Sequence, residues 1–123
     1  MRLATFQNSA GAVLPGMDKD GKLISLRALG FVTLEQIIAQ WDEVRPQIER
    51  FDGPAEPGAR LRAPLLRPGK IFCVGLNYRD HAIETKMEIP QVPTIFSKFN
   101  NTIIGPGENI VLPKNSSRPD YEA

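Results

Sequence analysis

Residues 71–84 read IFCVGLNYRDHAIE, an apolar run that stops at Gly75 and gives way to a polar stretch carrying His81, the one histidine of the chain. A short apolar run bounded by a glycine predicts a strand, and IFCVG, apolar on both faces, predicts a buried one. Residues 78–86, within NYRDHAIETKM, read as a short helix. Asn77 is the candidate N-cap, with Asp80 three residues on. On that helix His81 and Glu84 are spaced i, i+3 and share one face. Eleven prolines and ten glycines predict many short strands, helices and turns rather than a helix bundle, and the expected fold class is α+β.

The same reading extends toward the N-terminus. RLATF alternates as a strand, and GAVLPG continues as a second, with Pro15 favouring a sheet edge. Asp20-Gly21 signals a tight hairpin turn into KLISL. Thr33 and Gln36 fit a capping box, after which Leu34, Ile37, Ile38, Trp41 and Val44 share a helical face. Pro46 should kink or end that helix, with a further turn through Ile48 and Phe51. Residues 52–70 hold four prolines and three glycines and read as a linker, with RLRAPLL a candidate short strand.

Beyond the helix of residues 78–86, TIFSKF is a further strand, with Phe96 and Lys98 on one face and Ile95, Ser97 and Phe99 on the other. NNTIIGPGENIVLP reads as two strands around a Gly-Pro-Gly turn, and KNSSRP as a polar loop. Gly75, Gly105 and Gly107 read as turn residues. The expected organisation is a small α+β domain with linker over residues 1–67, then the start of a second domain over residues 68–123. Because that second section ends at DYEA without closing a core, the chain is expected to be the N-terminal part of a longer protein.

Composition narrows the function classes. The chain has 123 residues, a net charge of +1, 41% hydrophobic and 24% charged residues. That balance gives no broad pull toward nucleic acid or an anionic membrane. No apolar run approaches a membrane span, and MRLATFQNSA lacks the apolar core of a secretory signal. Cys73, the single cysteine, lies inside the apolar run and reads as a small core residue. A cytoplasmic protein without nucleic-acid or membrane partners is expected. There is no P-loop, GxGxxG, zinc cluster or serine elbow.

Three groups carry chemistry. A carboxylate beside an imidazole orients it and raises its basicity, so His81 with Glu84 fits a general base; a solvated surface pair is the plain alternative. Lys98 either snorkels at an edge or meets an anion in a pocket. Asp120 and Glu122 would share one strand face and suit an oxygen-ligated divalent cation, or else form an exposed acidic strand end.

Taken in order, KIFCVGLNYRDHAIET, TIFSKFNNTIIGPGENIVLP and DYEA resemble the fumarylacetoacetate hydrolase family, clearly over residues 68–123 and faintly over 1–67. The resemblance implies a small N-terminal α+β domain followed by the incomplete start of a mixed β-sandwich roll. It implies His81 and Glu84 as a catalytic dyad, Glu122 as the first carboxylate of an E-x-E metal motif, and Lys98 on the substrate side. The second carboxylate would be residue 124, one past Ala123. The implied activity is that of a divalent-metal-dependent hydrolase or lyase. It would cleave C–C bonds in dioxo or 2-oxo acids of aromatic catabolism through an enolate held by Mg²⁺, or by Mn²⁺ or Ca²⁺. The complete protein would be a homodimer. Decarboxylation, isomerisation and hydration are related activities of the same site, so the motif leaves the substrate open. A second reading is a non-catalytic chain serving only as an interaction or structural module.

Overall fold

The computed structural model describes residues 1–117. They form two separately packed units: Met1–Leu65 with the stretch from Ile104, and Leu66–Ile103. Antiparallel strands and short helices occur in separate runs along the chain, which makes it α+β as the sequence indicated.

The first unit is built on a four-stranded sheet of order β3-β2-β1-β4, comprising β1 (Arg2–Gln7), β2 (Val13–Lys19), β3 (Lys22–Ser25) and β4 (Arg60–Leu61). The β2–β3 hairpin closes through Asp20 and Gly21, both left-handed at φ 55° and 79°. This is the two-residue turn whose twist matches the flanking strands. Asp18 tightens it by accepting the Gly21 N–H at 2.9 Å and pairing with Arg2 across β1. Those two contacts, the Gly21 N–H first, hold the Asp18 carboxyl below its usual range. A depressed carboxylate stabilises the fold above its unfolded pKa and loses that contribution as pH falls through the folded value. Asp18→Asn should therefore flatten the acid limb of thermal stability below about pH 4, the ordinary carboxylate value. An unchanged melting profile over that window would remove Asp18 from the acid response.

Pro15 does not occupy an edge. It lies in β2, between β1 and β3, opposite Thr5. Its carbonyl accepts from Leu26 at 2.9 Å, so its backbone polar side faces away from β1. β3 has already ended at Ser25, so a missing N–H on that side breaks no ladder bond.

Two helices cover one sheet face. α1 (Leu34–Ala39) opens with the capping box expected from Thr33 and Gln36, the Thr33 hydroxyl accepting the Gln36 N–H and the Gln36 amide oxygen accepting the Thr33 N–H. Thr33→Ala should destabilise the first unit by about 1 kcal/mol. Denaturant titration checks this; a shift below a few tenths would mean that water replaces the cap.

The helix does not run unbroken to Pro46. It stops at Gln40 (φ −120°), and α2 (Trp41–Arg50) starts afresh, with the Gln40 carbonyl accepting from Glu43 and Val44. Pro46 then lies inside α2, removing only the bond to Asp42. Ile38 faces solvent at 51% exposure, while Leu34, Ile37 and Ile48 are buried with Met17, Ile24, Leu26 and Phe31. Trp41, Val44 and Phe51 pack at the margin of that cluster. Residues 52–65 are more than a linker. They add β4 to the sheet, a bridge between Ala55 and Ile24, and the Pro64 carbonyl that accepts the buried Thr5 hydroxyl at 2.6 Å.

Residues 104–117 contain no strand among the described residues, contrary to the two strands expected around Gly-Pro-Gly. The turn itself is there. Pro106 and Gly107 occupy its centre, Gly107 at φ 75°, and Glu108 N–H donates back to the Gly105 carbonyl. Glu108 also accepts the Gly105 N–H at 2.8 Å and pairs with Arg62 at 2.7 Å. Ile110, Val111 and Leu112 then run exposed, with no described strand to pair with.

The second unit holds an antiparallel pair, β5 (Ile71–Gly75) and β6 (Thr94–Lys98), in the register Cys73↔Phe96. Between them lies α3 (Arg79–Glu84). IFCVG is a strand, but it is not buried: Phe72 and Val74 on one face are exposed, and Ile71, Cys73 and Gly75 on the other are half-buried. A two-stranded sheet has little to lay over its faces, so an apolar pattern fit for double burial is only half satisfied among the described residues.

Candidate functional site

β5 carries the chain straight to the helix that bears the candidate dyad. Gly75 pairs with Thr94 as the last residue of the ladder, and its φ is not left-handed; a Cβ there would meet Thr94 at an ordinary 3.7 Å. The turn expected at Gly75 is made by Leu76, at φ 49°. The N-cap of α3 is Tyr78 rather than Asn77, and no side chain caps it. The helix ends cleanly. The Lys86 N–H donates to the Ile83 carbonyl and the Met87 N–H to the Ala82 carbonyl, with Lys86 left-handed at φ 56°. This is the Schellman arrangement with lysine where glycine is commonest. Thr85 adds its hydroxyl to the His81 carbonyl at 2.7 Å.

Within α3 only Ala82 is buried. His81 and Glu84 are both exposed, one turn apart, and neither side chain makes a hydrogen bond or ion pair among the described residues. The helix thus presents an imidazole and a carboxylate at i, i+3, open to a ligand and to solvent. Their spacing permits one to orient the other, and the contact is unmade here. Lys98 closes β6 opposite Ile71, on the face shared with Phe96 and Cys73. Its ammonium lies 5.9 Å from the Phe96 ring centre, at the outer reach of a cation–π contact. Asp120 and Glu122 lie outside the described residues.

Among the described residues, no three His, Cys, Asp or Glu gather to hold a metal ion. An open groove of about 700 Å³ in the first unit, lined in part by Leu3, Met17, Trp41 and Arg45, contains none of the candidate residues. Sequence reading missed Leu76. The glycine beside it is the obvious turn residue, and nothing in a leucine announces a left-handed backbone. No helix among the described residues is long and apolar enough to cross a membrane.

Comparison with known proteins falls on the same segment. The family model for fumarylacetoacetate (FAA) hydrolase, C-terminal, matches residues 70–123. A fumarylacetoacetate hydrolase domain-containing protein 2 homolog of Dictyostelium discoideum is 44% identical over 85 residues, covering 68% of this chain and 28% of that protein. Mitochondrial oxaloacetate tautomerase Fahd2a of Rattus norvegicus is 50% identical over 60 residues, covering 49% and 19%. The 2,4-didehydro-3-deoxy-L-rhamnonate hydrolase of a Sphingomonas strain is 38% identical over 114 residues, covering 91% and 39%. A crystal structure of an HpcE-like protein from Mycobacterium smegmatis superposes with a TM-score of 0.75 at 26% identity, over 94% of this chain and 42% of that one. The chain therefore spans from about a fifth to two fifths of the length of these curated relatives. The strand, turn and His81-bearing helix lie inside the matched segment, and the chain belongs to the fumarylacetoacetate hydrolase family.

Proposed function

We propose that this chain contributes the proton-transfer part of an enzyme acting on 2-oxo or dioxo acids, in which His81 is the general base and Glu84 orients and charge-balances it. The observation that carries the reading is the placement of both groups, exposed and one turn apart, on the helix inside the family-matched segment. The relatives bear names of an oxaloacetate tautomerase and of a sugar-acid hydrolase, which are different outcomes. One step is common to both chemistries: a proton is moved next to a carbonyl.

In the tautomerase direction, neutral His81 takes a proton from the carbon adjacent to the ketone. The electron pair moves to the ketone oxygen, and the imidazolium returns a proton to that oxygen. In the hydrolase direction the same imidazole takes a proton from water as it attacks a carbonyl; the C–C bond that then breaks leaves its electron pair on the α-carbon of the departing enolate, and that carbon takes the proton back from the imidazolium. Glu84 stabilises the transient imidazolium in either case. Lys98 would meet the substrate carboxylate only by exchanging its place over Phe96.

A divalent cation, Mg²⁺ or else Mn²⁺ or Ca²⁺, belongs to this reading as cofactor, with Glu122 as one ligand. The described residues do not by themselves make its site, and no step above runs through it. A homodimer and a cytoplasmic location remain part of the proposal for the complete protein.

The test is an oxaloacetate tautomerisation assay and an acylpyruvate hydrolysis assay on the complete protein, with and without a chelator. Turnover of either substrate that the chelator removes supports the reading. Absence of turnover on both, with folded protein and added Mg²⁺ or Mn²⁺, overturns it in favour of a non-catalytic module.

A further inference from the structure

We propose that Leu76 is a positioning residue for His81: its left-handed backbone sets the direction in which α3 leaves β5. The inference rests on the functional reading of His81 given above. Among the described residues, three non-glycine positions have positive φ: Asp20, Leu76 and Lys86. Asp20 lies in a hairpin turn that demands it, and Lys86 takes the left-handed place that ends a helix. Leu76 has no such template. It forms, with Asn77, the connection between the last ladder residue of β5 and the cap of α3.

A leucine held left-handed carries a steric cost that glycine would not. The neighbouring glycine is not used to avoid it, because Gly75 is committed to its pairing with Thr94. Such a cost persists where the surroundings fix the residue on both sides, and it clusters where geometry matters to function. Leu76 is half-buried, whereas Asn77, Tyr78, Arg79 and Asp80 are all exposed, so it is the residue of this stretch most restricted by its surroundings. The helix beyond has few other restraints. It lacks a side-chain cap and buries one residue, Ala82. The orientation of a six-residue helix tethered so lightly is set by the turn that launches it. His81 lies five residues beyond that turn.

The test compares Leu76→Gly, Leu76→Asn, Leu76→Ala, Lys86→Gly and His81→Ala in the complete protein, reading melting temperature together with kcat and KM. Glycine at 76 relieves strain but frees the turn. Asparagine tolerates the left-handed backbone and keeps it restricted, and alanine shortens the side chain without that tolerance. The expected result is that Leu76→Gly lowers kcat about tenfold with KM little changed and a melting temperature held or raised. Leu76→Asn should keep several times more kcat than Leu76→Ala, and Lys86→Gly should keep native kcat. If Leu76→Gly fails to fold, the asparagine–alanine pair decides. Native kcat in Leu76→Gly, or equal loss in asparagine and alanine, overturns the positioning role while His81→Ala remains inactive. Retained turnover in His81→Ala overturns the site reading itself, and this inference with it.

Discussion

Replacing His81 by alanine in the complete protein should lower turnover of a 2-oxo acid substrate about 10²-fold or more, the scale on which a general base contributes. The chain has one imidazole, presented on α3 and exposed to solvent. On the proposed reading its loss removes the general base but nothing that holds the fold, since among the described residues His81 makes no side-chain bond and only Ala82 of α3 is buried. Binding should survive better than kcat, because the missing interaction belongs to the transition state. Glu84→Gln should cost less, as it weakens the orientation of the ring without removing the base. A steady-state assay that returned near-native kcat for His81→Ala would take the residue out of the mechanism.

The second large effect lies in the first unit. Gly16→Ala should destabilise it by about 1–3 kcal/mol, a large share of what a domain of this size has in reserve. Phe6 and Gly16 lie on the same face of the sheet, opposite the one that holds Met17, and the Phe6 ring covers the glycine. A methyl on Gly16 would stand 2.3 Å from a Phe6 ring carbon and 2.4 Å from the Ile24 carbonyl oxygen. The ring is a side chain and can turn, but the carbonyl belongs to β3, paired to β2 through Met17↔Ile24. Making room for the methyl separates two ladder strands or displaces the fully buried Phe6. Urea unfolding followed by the Trp41 signal reads the loss; a midpoint within a few tenths of native would mean that β3 gives way freely.

What the sequence made legible, and what it hid, divides along physical lines. Local chemistry was legible. Asp20-Gly21 specifies its hairpin because few residues adopt two left-handed angles in a row. Thr33 and Gln36 specify α1 because their side chains close two free N–H groups. His81 and Glu84 were legible as a pair because helical spacing is fixed.

Features set by neighbours were not. Pro15 marks an edge by rule, yet it is tolerated inside the sheet because β3 stops one residue short. Pro46 should end a helix, but the break at Gln40 comes first, where neither a proline nor a capping side chain marks it. IFCVG records a demand for two covered faces that the described residues meet on one. IVLP reads as strand by composition, and a strand needs a partner. Leu76 was hidden because strain is a property of backbone geometry that no side-chain pattern encodes.

Whether His81 moves a proton beside a carbonyl is read from proton exchange at carbon. The complete protein would be incubated with oxaloacetate in D₂O, and deuterium entering the carbon next to the ketone followed by NMR, corrected for the uncatalysed rate. Native protein should speed exchange, and His81→Ala should bring it back to the uncatalysed rate within the error of measurement. Undiminished exchange catalysed by His81→Ala, with its fold intact, would contradict the account.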